Sequence, residues 1–148
     1  MTGVQTCALP ILLSFSNFGS VKHLAAAKVQ RAVALLQERE PDLQVDGEMQ
    51  ADTAVVERIL TRVYPFTKLR GPANVLIFPD LDAANIAYKL LARLGDAQAI
   101  GPILVGMDQP VHVLQRLSEV PDIVNMAVIA AVDALEHRRQ ARPTTERA

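Results

Sequence analysis

The sequence has no tryptophan, a single cysteine and an aromatic share of only 4% in 148 residues. One thiol, Cys7, excludes an internal disulfide and fits a reducing cytoplasm. Tyr64 and Tyr88 are too isolated in the sequence to make a stacking platform for nucleic acid. Charge of one sign is missing too: 15 basic side chains face 16 acidic ones, for a net charge of −1, so there is neither a basic footprint for nucleic acid nor an acidic tail. Long apolar runs are absent as well. The charge-free stretch at residues 123–132 contains Asn125 and falls far short of the roughly 20 residues of a membrane span. No Walker motif, G-x-G-x-x-G or G-x-S-x-G occurs, and His23, His112 and His137 show no metal-ligand spacing. What remains is a chain 50% apolar and 21% charged, enough for the core of one soluble globular domain.

Residues 1–11, MTGVQTCALPI, show neither a helical nor a strand period and lack the basic start of a signal peptide. Translation of a common sequencing-library adapter reproduces them residue for residue. They are therefore expected to be translated adapter, which would leave Cys7 without chemistry and place the natural start of the protein upstream of Leu12.

Past that point, residues 12–16 read as a short buried strand opening into a turn at Asn17, Phe18, Gly19 and Ser20. A helix is expected over residues 21–40, with Leu24, Ala27, Val29, Ala32, Val33, Leu35 and Leu36 near a helical period and Pro41 ending it. Residues 42–45 suggest a strand, followed by a turn at Asp46, Gly47 and Glu48 and a helix over residues 51–63. Residues 74–78 suit a buried parallel strand, and a helix over residues 82–94 stops at Gly95. A further buried strand is expected at residues 100–105, then a last helix from an N-cap at Ser118 to about Arg139, with residues 140–148 as a disordered tail. Alternating strands and helices predict an α/β domain, three-layer α/β/α with a mainly parallel sheet. The last helix has almost no polar face, so part of its cover is expected from upstream chain or another subunit.

Polar residues cluster after the strands, where open α/β sheets place ligands. The hydroxyls and backbone N–H groups around Ser14, Ser16, Asn17, Gly19 and Ser20 suit an anion at a helix N-terminus, or ordinary capping. Asp46, Glu48, Gln50 and Asp52 resemble a hard-metal or acid/base cluster, or simply a turn with acids at a helix start. Asp80 and Asp82 with Asn85 read as a third group, with Asp82 as an ordinary N-cap. Gln115, Arg116 and Asp122 form the fourth: a guanidinium fork for phosphate or carboxylate beside an acid, or an exposed ion pair.

Five segments, in order, carry a resemblance: SFSNFGS at 14–20, VDGEMQAD at 45–52, GPANVLIFPDLDAANIAYKLLARLG at 71–95, IGPILVGMDQPVHVLQR at 100–116 and DIVNMAVIA at 122–130. They resemble the phosphate acetyl/butyryltransferase family, and span essentially residues 12–135. DAANIAYK and PVHVLQR look most like the branch that forms the C-terminal phosphotransacetylase-like domain of large bacterial NADP-dependent malic enzymes.

The resemblance implies a cleft in which acetyl passes between coenzyme A and phosphate, with a Ser-Arg pair and a downstream Asp. Arg116 and Asp122 fall on the family's Arg and Asp, while Gln115 occupies the place of the Ser and cannot reproduce a compact hydroxyl. It further implies that Ser16, Asn17, Gly19 and Ser20 lie near the acyl or phosphate end and that Asp46 and Asp80 shape the cleft. In the malic-enzyme branch the domain is understood to bind acetyl-CoA as a regulatory ligand. The parent enzyme's NADP and divalent metal, Mg or Mn, would then belong to modules outside this stretch, which itself holds no cofactor or metal. Expected partners are acetyl-CoA or a related acyl-CoA or phosphate ligand and further copies of the chain in a homo-oligomer, with no nucleic acid and no membrane. The chain is accordingly expected to be a cytoplasmic fragment, inactive alone. An active phosphate acetyltransferase and a pure oligomerisation module are the alternatives.

Overall fold

The computed structural model describes residues 8–116 and 118–141. Expectations for residues 1–7 and 142–148 lie outside the described residues. The chain divides into two compact units, Met1–Lys89 and Leu90–Ala148.

The first unit is built on a parallel sheet of β1 (Pro10–Leu13), β2 (Asp46–Met49) and β3 (Val75–Ile77), in the order β2-β1-β3. The central strand is buried throughout and its side chains alternate between two layers. Leu12 meets Val29 and Val33 of helix α1 (Leu24–Arg39), together with Val45. Ile11 and Leu13 face the opposite way, joining Met49, Ala54, Leu60 and Leu69 beneath α2 (Ala51–Val55) and α3 (Glu57–Val63). This is the expected α/β/α layering.

Several boundaries differ from the sequence reading. The first strand begins at Pro10, two residues before the expected Leu12, because Ile11 is fully buried and pairs with Asp46 on one side and Leu76 on the other. The expected limit after Ile11 thus falls inside β1. The segment DGEM, read as a turn, is itself β2: Asp46 and Glu48 are buried, and tertiary hydrogen bonds outweigh their poor strand propensity. Gly47 makes this possible. It adopts φ +131°, and a Cβ there would lie 2.7 Å from the Leu12 carbonyl oxygen. The single helix expected over residues 51–63 is two, because β-branched Val56 is extended (φ −100°, ψ 97°) and closes α2 as it opens α3.

Helix α4 (Leu81–Leu94) crosses the division between the units. Its first residues are held by Asp80, not Asp82: Asp80 Oδ1 accepts the Ala83 N–H at 2.8 Å. The strand expected at residues 100–105 does not form. Gly101 takes φ +136° and Pro102 has no N–H to give a ladder, so this stretch is irregular. Helix α5 (Val120–Ala141) follows, and it includes residues 140 and 141, which the sequence reading assigned to the tail. Of its described side chains Met126 is buried, while Ile123, Val124, Val128, Val132 and Leu135 are exposed. No described helix is long and apolar enough to cross a membrane.

Candidate functional site

At the C-terminal end of β1 the chain enters a tight turn over residues 14–21. Ser14 N–H still donates to the Met49 carbonyl at 2.9 Å, which continues the sheet for one more bond. Ser16 is fully buried: its N–H donates to Ser14 Oγ, and its own Oγ accepts the Val21 N–H at 3.1 Å and pairs with Ser20 Oγ at 3.3 Å. Ser20 Oγ also accepts the Asn17 N–H at 2.9 Å, while Ser20 N–H returns to the Asn17 carbonyl. Asn17 Oδ1 accepts the Gln50 N–H at 2.8 Å, and Gln50 Nε2 donates to the Phe15 carbonyl, so the end of β2 is laced to the turn.

Phe18 and Gly19 are both left-handed, at φ +46° and +82°. For a phenylalanine this conformation is unfavourable by roughly 1 kcal/mol or more, so it must be held from outside. Two groups of Glu48 do so: its carbonyl accepts the Phe18 N–H and its Oε1 the Gly19 N–H, each at 2.8 Å. The Phe18 ring packs on Phe66 and Tyr64, with centroids 4.9 and 5.2 Å away.

Two expectations about this turn are corrected by its geometry. It is not a helix N-terminus, since α1 begins at Leu24 behind its own N-cap, His23, whose Nδ1 accepts the Ala25 N–H at 3.1 Å. Nor are its backbone donors free. Every N–H from Ser16 to Val21 is already donated within the turn or to Glu48. Phe15, Ser20 and Val21 are the exposed side chains of this turn, with Ser14, Asn17 and Phe18 half-buried, beside exposed Gly19.

Asp46, at the start of β2, is only 6% exposed and fully engaged. Its Oδ1 accepts the Gly47 N–H, and its Oδ2 accepts both the Thr67 hydroxyl and the Lys68 N–H. Its effect on a cleft is therefore indirect, through the loop it anchors. Asp80 is exposed and serves as the cap of α4. The structure brings Ser16, Asn17, Gly19 and Ser20 together with Glu48, which the sequence groups with Asp46, Gln50 and Asp52 and not with this turn. Its sequence signal was an acid between Val45 and Met49 in an otherwise buried stretch.

In the second unit, Gln115 and Arg116 are exposed in the loop before α5. Asp122 is half-buried in the first turn of that helix, where its Oδ2 accepts the Glu119 N–H at 2.9 Å while the Glu119 carbonyl accepts the Asp122 and Ile123 N–H groups. The helix starts behind Glu119, one residue past the expected Ser118, with one half of a capping box: the Asp122 side chain reaches back to the Glu119 N–H. Arg116 and Asp122 form no ion pair, which leaves the guanidinium of Arg116 open to solvent. Nearby, both ring nitrogens of His112 are buried without a hydrogen-bond partner. A separate apolar groove of about 470 Å³ runs between residues 103–110 and the face of α5 carrying Val128, Val132 and His137. Among the described residues no group of three or more His, Cys, Asp or Glu side chains is placed to hold a metal ion.

Comparison with known proteins places this geometry in context. The model of a family described as phosphate acetyl/butaryl transferase matches residues 8–131. An NADP-dependent malic enzyme of Salmonella typhimurium is 44% identical over 124 residues, covering 83% of this chain and 16% of that protein. A phosphate acetyltransferase of Acetivibrio thermocellus is 47% identical over 123 residues, covering 83% of this chain and 37% of that protein. Among solved structures, a phosphotransacetylase from Streptococcus pyogenes superposes with TM-score 0.81 at 42% identity, covering 87% of this chain and 39% of that one. The EutD phosphotransacetylase from Staphylococcus aureus gives 0.76 at 40% identity, over 86% and 39%. The chain spans well under half the length of each of these relatives.

Proposed function

From the premise that this chain belongs to the phosphate acetyl/butaryl transferase family, we propose that it is part of a phosphotransacetylase-like domain that binds acetyl-CoA without turning it over, as a regulatory module of an NADP-dependent malic enzyme. The observation that carries this reading is Gln115, exposed where the family resemblance calls for a compact serine hydroxyl. Asp122 Oδ2 accepts the Glu119 N–H at the head of α5, so this carboxylate also helps to build the helix start. Arg116, exposed and without an ion pair, keeps a planar fork for a phosphate or carboxylate of the ligand.

In this reading NADP and the divalent metal act on other modules of the parent protein. The described residues offer no metal cluster and the sequence no dinucleotide-binding glycine motif, so no step proposed here runs through either group. The domain is proposed to work as a homo-oligomer in the cytoplasm, with the exposed apolar residues of α4 and α5 supplying contact surface.

A second reading is an active phosphate acetyltransferase, favoured by the 47% identity to such an enzyme and by the two phosphotransacetylase structures. Thermal melting with acetyl-CoA, paired with an assay for acetyl phosphate on the full-length parent, separates the two. The regulatory reading expects a rising melting temperature, equivalent to about 2.7 kcal/mol at a hundredfold excess over Kd, with no acetyl phosphate formed. Acetyl phosphate production would move the assignment to the transferase. No melting shift at saturating acetyl-CoA would remove the binding role.

A further inference from the structure

We infer that Glu48 is the positioning residue of the candidate ligand site, and that its buried charge fits the turn to a neutral, hydrogen-bond-donating part of a ligand while turning an anion away. The choice of ligand rests on the acyl-CoA reading; the positioning role does not.

The register of the sheet isolates Glu48. Leu12 pairs with Gly47 and Leu13 with Met49, so Glu48 is the extra residue of a bulge in β2. Bulges re-aim a side chain at the rim of a sheet, and this one lies at the strand ends where parallel sheets carry their ligands. The bulge brings both the carbonyl and Oε1 of one residue onto two successive N–H groups, Phe18 and Gly19, each at 2.8 Å. Those two residues are the left-handed ones, and Asn17 and Ser20 flank them. Release of Glu48 therefore frees the conformation on which the exposed part of the turn depends.

The charge calls for a separate account. Holding the Gly19 N–H requires one acceptor oxygen, which a glutamine would supply equally well. Glu48 is 1% exposed, and its second oxygen, Oε2, is buried with no partner. A buried acceptor left unpaired is costly and rare in native structures. What the carboxylate adds is negative charge directly beneath a turn whose N–H groups are all spent. An anion approaching Gly19 and Ser20 finds no free backbone donor and a like charge in a poorly screened setting. An amide or hydroxyl finds acceptors instead, in Ser20 Oγ and the turn carbonyls. In an acyl-CoA, the amide-bearing arm fits this chemistry and the phosphates do not.

The test follows the backbone amides of Phe18, Gly19 and Ser20 by NMR in the intact 148-residue chain, as wild type, Glu48→Gln and Glu48→Ala, with inorganic phosphate as the probe. Gly19 hydrogen exchange is expected to speed up at least about tenfold in Glu48→Ala and to stay within about threefold of wild type in Glu48→Gln. Tens-of-millimolar phosphate is expected to leave the three resonances in place in the wild type and to shift them in Glu48→Gln. Should Glu48→Ala fail to fold, Glu48→Asp, whose shorter side chain withdraws the oxygen from Gly19, takes its place in the exchange comparison. Unchanged Gly19 exchange in the shortened variant overturns the positioning role. Equal phosphate responses in wild type and Glu48→Gln overturn the charge-based selectivity. A wild-type chain that binds no acetyl-CoA removes the acyl-CoA reading and leaves both readouts decisive.

Discussion

Asp46 Oδ2 lies 2.8 Å from the Thr67 hydroxyl, 21 residues further along the chain, and the same oxygen takes the Lys68 N–H at 2.7 Å. One buried carboxylate oxygen therefore fastens the loop after α3 to the edge of the sheet, next to the strand that aims Glu48.

Asp46→Ala removes both acceptor oxygens and strands three donors, the Gly47 and Lys68 N–H groups and the Thr67 hydroxyl, at a site that is 6% exposed. A loss of about 2–3 kcal/mol is expected, from hydrogen bonds to a charged group and the donors left unpaired. Urea denaturation measures it, and a change below about 0.5 kcal/mol would show that the Thr67 loop is held by other contacts.

Gly47→Ala tests the close approach of β2 to β1. A methyl group 2.7 Å from the Leu12 carbonyl, on a residue at φ +131°, has backbone on one side and an unfavourable dihedral on the other. The expected cost is about 2 kcal/mol or more. A variant as stable as the parent would mean that the sheet can shift its register at the bulge.

Asp122 distinguishes an acceptor from a base. Asp122→Asn retains an oxygen for the Glu119 N–H and is expected to hold the helicity of α5, whereas Asp122→Ala is expected to cost about 1 kcal/mol and fray its first turn. Circular dichroism and thermal melts compare the two. Equal behaviour of Asn and Ala would remove the capping role.

Arg116→Ala addresses the ligand. Because Arg116 is exposed and unpaired, stability without ligand is expected to change by less than about 0.5 kcal/mol, while the acetyl-CoA-induced rise in melting temperature shrinks. An acetyl-CoA response identical to the parent's would place the binding site elsewhere.

His112→Leu is expected to stabilise the chain by about 1 kcal/mol. It replaces two buried ring nitrogens that lack partners with a side chain that needs none. A loss of stability in chemical denaturation would indicate that the imidazole has a partner in solution.

Much of the fold was legible where one physical signal dominated. The apolar spacing of Val29, Val33 and Leu36 located α1, and the run Val75, Leu76, Ile77 between Pro72 and Pro79 located β3. The reading failed where tertiary contacts override local preference. DGEM is too polar to be recognised as a strand, because the partners of Asp46 and of Glu48 Oε1, namely Thr67, Lys68 and Gly19, lie far away in sequence. Residues 100–105 have the composition of a strand, yet the backbone at Gly101 and Pro102 cannot enter a ladder. For the site, the serine turn stands out in the sequence, but the engagement of its donors does not. Whether an N–H is free or spent is a matter of geometry, and no spacing of Ser, Asn and Gly reveals it.

The central position of β1 bears on how the chain assembles. One of its two neighbours is β3, and the Leu9–Asn74 bond that starts their pairing joins residues 65 apart. Until β3 is made, the Pro10–Leu13 strand lacks the partner that covers this edge in the folded unit, and a fully apolar strand is left with that edge open. The non-local closure makes folding slow for a unit of this size and favours capture of the half-formed sheet by a chaperone, or by a second nascent chain.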